Sequence, residues 1–222
     1  MKVVAIVQSR LGSTRLPGKA LMLLNGKPMI QHVIERAATI KCVDQVVLAV
    51  PDDDQFAYWA WPLNCWMFHG SEDDVLRRYA GAAQQYNADV IVRLTGDCPL
   101  LAPNIISTVL VFYLRRGAGY LPLCQPYCTV ADGWDAEIFS REVLEMAQGN
   151  ARPDEREHVV TWMRQHAQVI EHPIKGDWTA LKCSVDTQED FDRVEKVMAH
   201  LESPRHFSHY DTWQAWEKAG RP

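Results

Sequence analysis

The sequence predicts an α/β protein built on a mixed, mostly parallel sheet flanked by helices, and three observations predict it. The chain opens on an uninterrupted apolar, β-branched run, Val3–Val7, of the kind that a strand buried on both faces requires. Strand-like runs then alternate with stretches of helical period, Pro28–Ala38, Gly70–Tyr86 and Asn104–Arg116, as in successive βαβ units. Polar turns follow both Val3–Val7 and the run Val90–Leu94, at the edge where open α/β sheets hold their ligands.

A chain of 222 residues that is 47% hydrophobic and carries a net charge of −5 can bury a sizeable core as one large domain. An isoelectric point near 5.9 without a basic tract argues against nucleic acid as a partner, because phosphate-backbone binding needs a clustered cationic face. The N-terminus shows no charged stretch leading into a long apolar segment, and no run approaches the ~18 apolar residues of a membrane span. A cytoplasmic protein with no membrane insertion is therefore expected. The six cysteines, Cys42, Cys65, Cys98, Cys124, Cys128 and Cys183, are scattered, several in apolar runs, and read as free thiols. Cys124 and Cys128 are nearest one another, but without a second pair or adjacent histidines they make a poor zinc signal.

The loop after the first strand crowds Gln8, Arg10, Gly12, Ser13, Arg15 and Lys19 together, with Pro17-Gly18 preventing an early helix. Three cations and small-residue backbone N–H groups at a strand end suit a polyanion such as a nucleoside triphosphate. A Walker A loop is excluded: five residues separate Gly12 from Gly18 where that loop has four, and Ala20 stands where Ser or Thr would bind the metal. No G-x-G-x-x-G fingerprint follows the strand either.

Asn25-Gly26 marks a turn. Pro28 then opens a crossover helix whose apolar residues are Met29, Ile30, Val33, Ile34 and Ala37. Gln45–Val50 reads as a second strand, Asp53–Trp61 as a helix and Trp66–His69 as a short third strand. From Gly70, Ser71 is expected to cap a helix with Asp73 and Asp74 in its first turn and a stripe at Val75, Leu76, Tyr79, Ala82 and Ala83. Arg78 reads equally well as a charge on that helix's surface. The strand Val90–Leu94 delivers the chain into Thr95-Gly96-Asp97-Cys98-Pro99, where Gly96 permits close backbone approach and the Asp97 carboxylate projects as a hard oxygen ligand of the kind Mg²⁺ takes beside phosphate.

Asn104–Arg116 is an amphipathic helix, and Tyr120–Tyr127 has two prolines and no clean period. Gly133–Phe139 reads as a short strand, Arg141–Ala147 and Glu155–His166 as helices, and Trp178–Val185 as a strand ended by Asp186. Thr187 caps a helix over Glu189–Leu201, with Asp190 completing a capping-box variant. Trp213 and Trp216 lie at helical spacing in the tail.

QSRLGSTRLPGKAL, from Gln8 to Leu21, resembles the signature loop of the cytidylyltransferases that activate sugars as CMP conjugates, and is most similar to their spore-coat-polysaccharide branch. Further segments resemble that family's motifs in the expected order: GSEDDVLRRY from Gly70, TGDCPL from Thr95, REHV from Arg156 and VDTQED from Val185. The resemblance covers nearly the whole chain. It implies the Rossmann-like fold of nucleotide-diphospho-sugar transferases in a single domain, with a nucleotide-binding half at 1–119, an acceptor and dimer half at 120–203 and a helical tail at 204–222. It implies CTP bound by Gln8, Arg10, Gly12, Ser13, Arg15, Lys19, Ser71 and Asp74, and catalysis by Arg10, Lys19 and Asp97. Mg²⁺ would be held by Asp97 and Asp186. The acceptor sugar would be met by Asp135, Glu137, Arg156 and His158, Arg156 being suited to an anionic acceptor because guanidinium pairs bidentately with carboxylate. The implied reaction is transfer of CMP from CTP to a sugar, a sugar acid in the first instance, with release of pyrophosphate, in a homodimer serving surface polysaccharide or glycoconjugate synthesis. Three alternatives stand beside it: a relative using another nucleoside triphosphate, whose first loop would usually carry a Gly-Gly pair where this chain has Gln8-Ser9-Arg10; a nucleotide-binding homologue without turnover; and one enzyme domain of a larger assembly.

Overall fold

β1 (Val3–Gln8) lies inside a six-stranded sheet, and residues 3–7 of it are at most 3% exposed. The computed structural model describes residues 1–52, 65–124, 129–203 and 206–222. Parallel neighbours flank β1 on both sides, β4 (Gln45–Pro51) and β6 (Val90–Thr95), and β5 (Trp66–Gly70) extends the parallel set beyond β4. On the other side β8 (Ala136–Ser140) runs antiparallel to β6, and β7 (Tyr120–Leu123) pairs antiparallel with β8 to close the edge. The sheet thus runs unbroken across the 119/120 division. β7 accommodates Pro122 because an edge strand can spare a ladder donor. A small ribbon of β2 (Leu23–Leu24) and β3 (Lys27–Pro28) sits apart, joined by the Asn25-Gly26 turn, both of whose residues adopt positive φ.

The period-2 alternation of β1 sorts its side chains between two cores. Val3, Ala5 and Val7 pack with α1 (Met29–Ala37) and α3 (Pro103–Arg116), while Val4 and Ile6 pack with α2 (Val75–Gln85), α4 (Arg141–Asn150) and α5 (Thr161–His166). The α2 stripe Val75, Leu76, Tyr79, Ala82 and Ala83 is buried as its spacing predicts. α6 (Gln188–Ala199) begins with the reciprocal Thr187–Asp190 capping box. α7 (His209–Lys218) packs Ala215 and Trp216 into the first core. Arg36 fastens this tail, donating from Nη2 to the Phe207 carbonyl at 3.2 Å and lying 3.5 Å over the Phe207 ring.

Four local expectations change. The cap of α2 is Asp74, whose carboxylate accepts the Arg77 N–H at 2.8 Å, while Ser71 accepts the Asp74 N–H at 3.0 Å one turn earlier. Arg78 is 3% exposed, not a surface charge. The helix expected over Glu155–His166 begins only at Thr161, because the Arg156 carbonyl is taken by the N–H of Leu76 at 3.0 Å instead of by its own next turn. Trp178–Val185 forms no strand; it makes one isolated bridge, Asp132 with Lys182, and is otherwise held by single bonds such as Cys183 N–H to the Asp132 carbonyl at 2.6 Å. Gly133, at φ +95°, is required there, since a Cβ would stand 2.5 Å from the Ser184 nitrogen. The helix expected at Asp53–Trp61 lies outside the described residues, as does Cys128. Cys42, Cys65, Cys98 and Cys183 are free thiols.

Candidate active site

The carboxyl ends of β1 and β6 are adjacent in register, Gln8 opposite Thr95, so the two polar turns that follow them open into one space. They approach so closely that the Gly96 N–H bonds the Gln8 carbonyl at 2.8 Å, and a Cβ at Gly96 would lie 2.8 Å from the Ser9 side chain. The cationic loop then folds back on itself, the Leu11 carbonyl accepting the N–H groups of Ser13 at 2.9 Å and Gly18 at 3.1 Å. Gly18, in the left-handed region at φ 68°, starts a single 3₁₀ turn that aims Lys19 inward.

A third segment completes the cleft. The Val185 N–H bonds the Asp97 carbonyl at 2.9 Å, which sets the turn before α6 against the turn after β6. Lys19 Nζ lies at their junction: it donates to Asp97 Oδ2 at 3.0 Å, to the Val185 carbonyl at 2.5 Å and to Asp186 Oδ1 at 3.2 Å. Arg15 reaches the same Asp186 oxygen at 3.0 Å from a more exposed position. Burial alone would raise the Asp97 carboxyl, but the Lys19 ammonium beside it holds it below the usual carboxylate range. Asp190 braces the opposite turn, accepting the N–H groups of Asp186 at 2.9 Å and Thr187 at 3.1 Å on one oxygen while Arg193 pairs with the other and Lys182 with both.

The resulting cleft has a volume of about 290 Å³ and is lined by Gln8, Arg10, Ser13, Arg15, Lys19, Asp97, His158 and Asp186 among the residues singled out from the sequence. Gly12 stands at its rim, where a Cβ would be 3.5 Å from Glu72 Oε1. Thr95, Glu72, Arg78 and Glu157 also line it and were not assigned a role from the sequence. All four lie inside motifs already singled out, Glu72 and Arg78 in GSEDDVLRRY, Thr95 in TGDCPL and Glu157 in REHV, and those motifs were their only signal.

Other expected contacts are engaged elsewhere. Asp74 and Arg156 pair with each other, Nε to Oδ2 at 2.8 Å, and Arg156 also donates to the Gln148 carbonyl at 3.0 Å; neither they nor Ser71 line the cleft. Glu137 is 2% exposed. Its Oε1 accepts from Tyr120 Oη and Arg164 Nη2, each at 2.9 Å, and its Oε2 pairs with Arg93. Burial opposes its ionisation, yet Arg93 and Arg164 together hold it below the usual range. Asp135 lines a separate cavity with Asp132, Cys124 and Arg164. Burial pushes its carboxyl up to about 6, against the Gly133 N–H that bonds Oδ1 at 2.6 Å.

Two carboxylates from distant parts of the chain that converge on one cation fit a hard divalent metal. Asp97 and Asp186 supply oxygen only, and among the described residues no third His, Cys, Asp or Glu joins them, so substrate phosphate and water would complete the coordination, as Mg²⁺ prefers.

A mostly parallel α/β sheet with a cationic first loop and paired aspartates at its carboxyl edge defines a nucleotidyltransferase of Rossmann-like fold. Residues 4–212 match the sequence model described as cytidylyltransferase, and the chain belongs to that family of CTP-dependent nucleotidyltransferases. It is similar to a cytidylyltransferase from Leptospira borgpetersenii, with a TM-score of 0.93 and 32% identity over 100% of this chain and 96% of that one. It is 27% identical to the spore coat polysaccharide biosynthesis protein SpsF of Bacillus subtilis, over 88% of this chain and 85% of the relative. The fold is also that of a CMP:2-keto-3-deoxy-manno-octonic acid synthetase complexed with CTP, at TM-score 0.71 and 21% identity over 90% of this chain and 99% of that one.

Proposed function

We propose that this protein transfers CMP from CTP to a sugar acid, releasing pyrophosphate, for the synthesis of a surface polysaccharide or glycoconjugate. The observation that carries the reading is the meeting of Lys19 with both Asp97 and Asp186 inside a cleft floored by the first loop. A sugar hydroxyl attacks the α-phosphorus of CTP: a new O–P bond forms, the hydroxyl proton leaves to water, and the bond to the pyrophosphate oxygen breaks. Such a step asks the protein chiefly for alignment and charge stabilisation. Arg10, Arg15 and Lys19 offset the triphosphate charge, Ser13 and the Gly12 backbone support the phosphates, and Gln8 faces the base. Asp97 and Asp186 would hold Mg²⁺, which supplies Lewis-acid polarisation of the α-phosphoryl group. In this reading His158 meets the acceptor from the cleft and Asp135 orients one of its hydroxyls.

The acceptor class follows the related synthetase, whose own acceptor is a keto-deoxy sugar acid, and the polysaccharide role follows SpsF. The homodimer rests on the family resemblance, and analytical ultracentrifugation reads it directly. The deciding experiment measures pyrophosphate release with Mg²⁺ across CTP, UTP, GTP and dTTP against a panel of 2-keto sugar acids and neutral sugars. Turnover with CTP and a sugar acid is expected. Thermal stabilisation by CTP without pyrophosphate release from any acceptor would overturn the enzymatic reading.

A further inference from the structure

One buried network touches the cleft from behind without lining it. Arg93 is opposite Ile6 on β1 and opposite Glu137 on β8, so all three side chains lie on the same face of the sheet. Gln8, two residues beyond Ile6, shares that face and lines the cleft. The Arg93 guanidinium spans the two: Nη1 pairs with Glu137 Oε2, and Nη2 lies 3.4 Å from Gln8 Oε1. Glu137 is itself fixed by Tyr120 and by Arg164 from α5. A guanidinium carries only donors, so the amide atom that faces it is the oxygen, and the amide nitrogen is the end that Gln8 has left for the cleft.

The geometry points to Arg93 and Glu137 as positioning residues for base selection: they fix the Gln8 amide so that it offers a donor to the nucleobase. This rests on the proposed use of CTP and deepens it. A donor complements a pyrimidine whose N3 is an acceptor, as in cytosine, and opposes one whose N3 carries hydrogen, as in uracil. Glu137 acts through Arg93 and Arg93 through Gln8, and neither touches the reacting atoms.

Gln8→Glu keeps the side chain's size, keeps an oxygen for Arg93 and turns the donor into an acceptor. Its ratio of CTP to UTP kcat/KM is expected to fall about 10- to 100-fold below wild type, the range that one mispaired buried polar group spans, with a parallel fall in the Kd ratio measured by calorimetry. Glu137→Gln releases Arg93 and is expected to lower the same ratio in protein that circular dichroism shows to be folded, whereas a merely structural role would lower stability and leave the ratio in place. If Glu137→Gln does not fold, the Gln8→Glu ratio decides alone. A ratio within twofold of wild type in Gln8→Glu, or in folded Glu137→Gln, overturns the inference while CTP turnover by the wild type stands. A wild type that neither binds nor turns over CTP overturns the proposed function and this inference with it.

Discussion

Lys19 is the side chain on which the cleft converges, and three of its contacts come from two segments remote from it in sequence. If it offsets phosphate charge, Lys19→Ala lowers the rate of pyrophosphate release about 10²–10³-fold, the usual cost of losing one charge-stabilising donor. Asp97→Asn does the same while far-UV circular dichroism is unchanged; near-normal release in either variant would end the assignment. Asp135 gives a prediction of the opposite electrostatic sign. Its folded carboxyl is pushed up to about 6, above its usual 3.8, so ionising it destabilises the fold: the penalty is absent below about pH 4, grows to pH 6 and is full above it. Asp135→Asn keeps the oxygen that accepts the Gly133 N–H, and thermal melts should show it more stable than wild type by about 1–3 kcal/mol at pH 8 and equal to it at pH 4. At this scale the sequence was informative where a residue's placement is set by its own turn, as for Asp97 after β6. It was silent where the role depends on a distant partner: nothing near Asp74 announces Arg156, and nothing near Glu137 announces Arg164.

The elements were legible in proportion to how far local pattern decides them. β1, α1 and the α2 stripe follow from apolar period alone, and the α6 capping box from Thr187 and Asp190. Trp178–Val185 has a strand's composition, but its backbone donors are spent on isolated partners such as Asp132 and Asp97, which no local pattern reports. The shortened α5 has the same cause, a carbonyl drawn off to Leu76. α6 also braces the site, because the Asp190 carboxylate that caps it holds the Asp186 N–H. Asp190→Ala would leave Arg193 and Lys182 without their carboxylate. A loss of at least about 2 kcal/mol, roughly 4–8 °C in Tm, is expected, together with reduced turnover from a loosened Asp186. Thr187→Ala, which removes a cap bond but leaves Asp190, should cost about 1 kcal/mol and spare activity. Equal activity in the two variants would separate the cap from the site.

For the molecule as a whole, the sheet carries stability and its carboxyl edge carries chemistry, and the two should respond differently to chelation. Lys19 already joins Asp97 and Asp186, so the fold does not depend on a metal to hold those turns together. EDTA should abolish turnover while shifting Tm by less than about 2 °C, and added Mg²⁺ should restore the rate; a large drop in Tm would assign the metal a structural role as well. Among the described residues no helix is long and apolar enough to cross a membrane.

The reversed direction of β8 bears on how such a protein can change over time. A strand running against its neighbour brings its beginning, not its end, to the side where the parallel strands finish, so the approach through residues 129–135 reaches that end of the sheet as a separate stretch of chain. Insertions or charge swaps along that approach would leave the parallel strands and the turns that follow them in place. Editing this path would alter what borders that end of the sheet while the parallel strands keep their register.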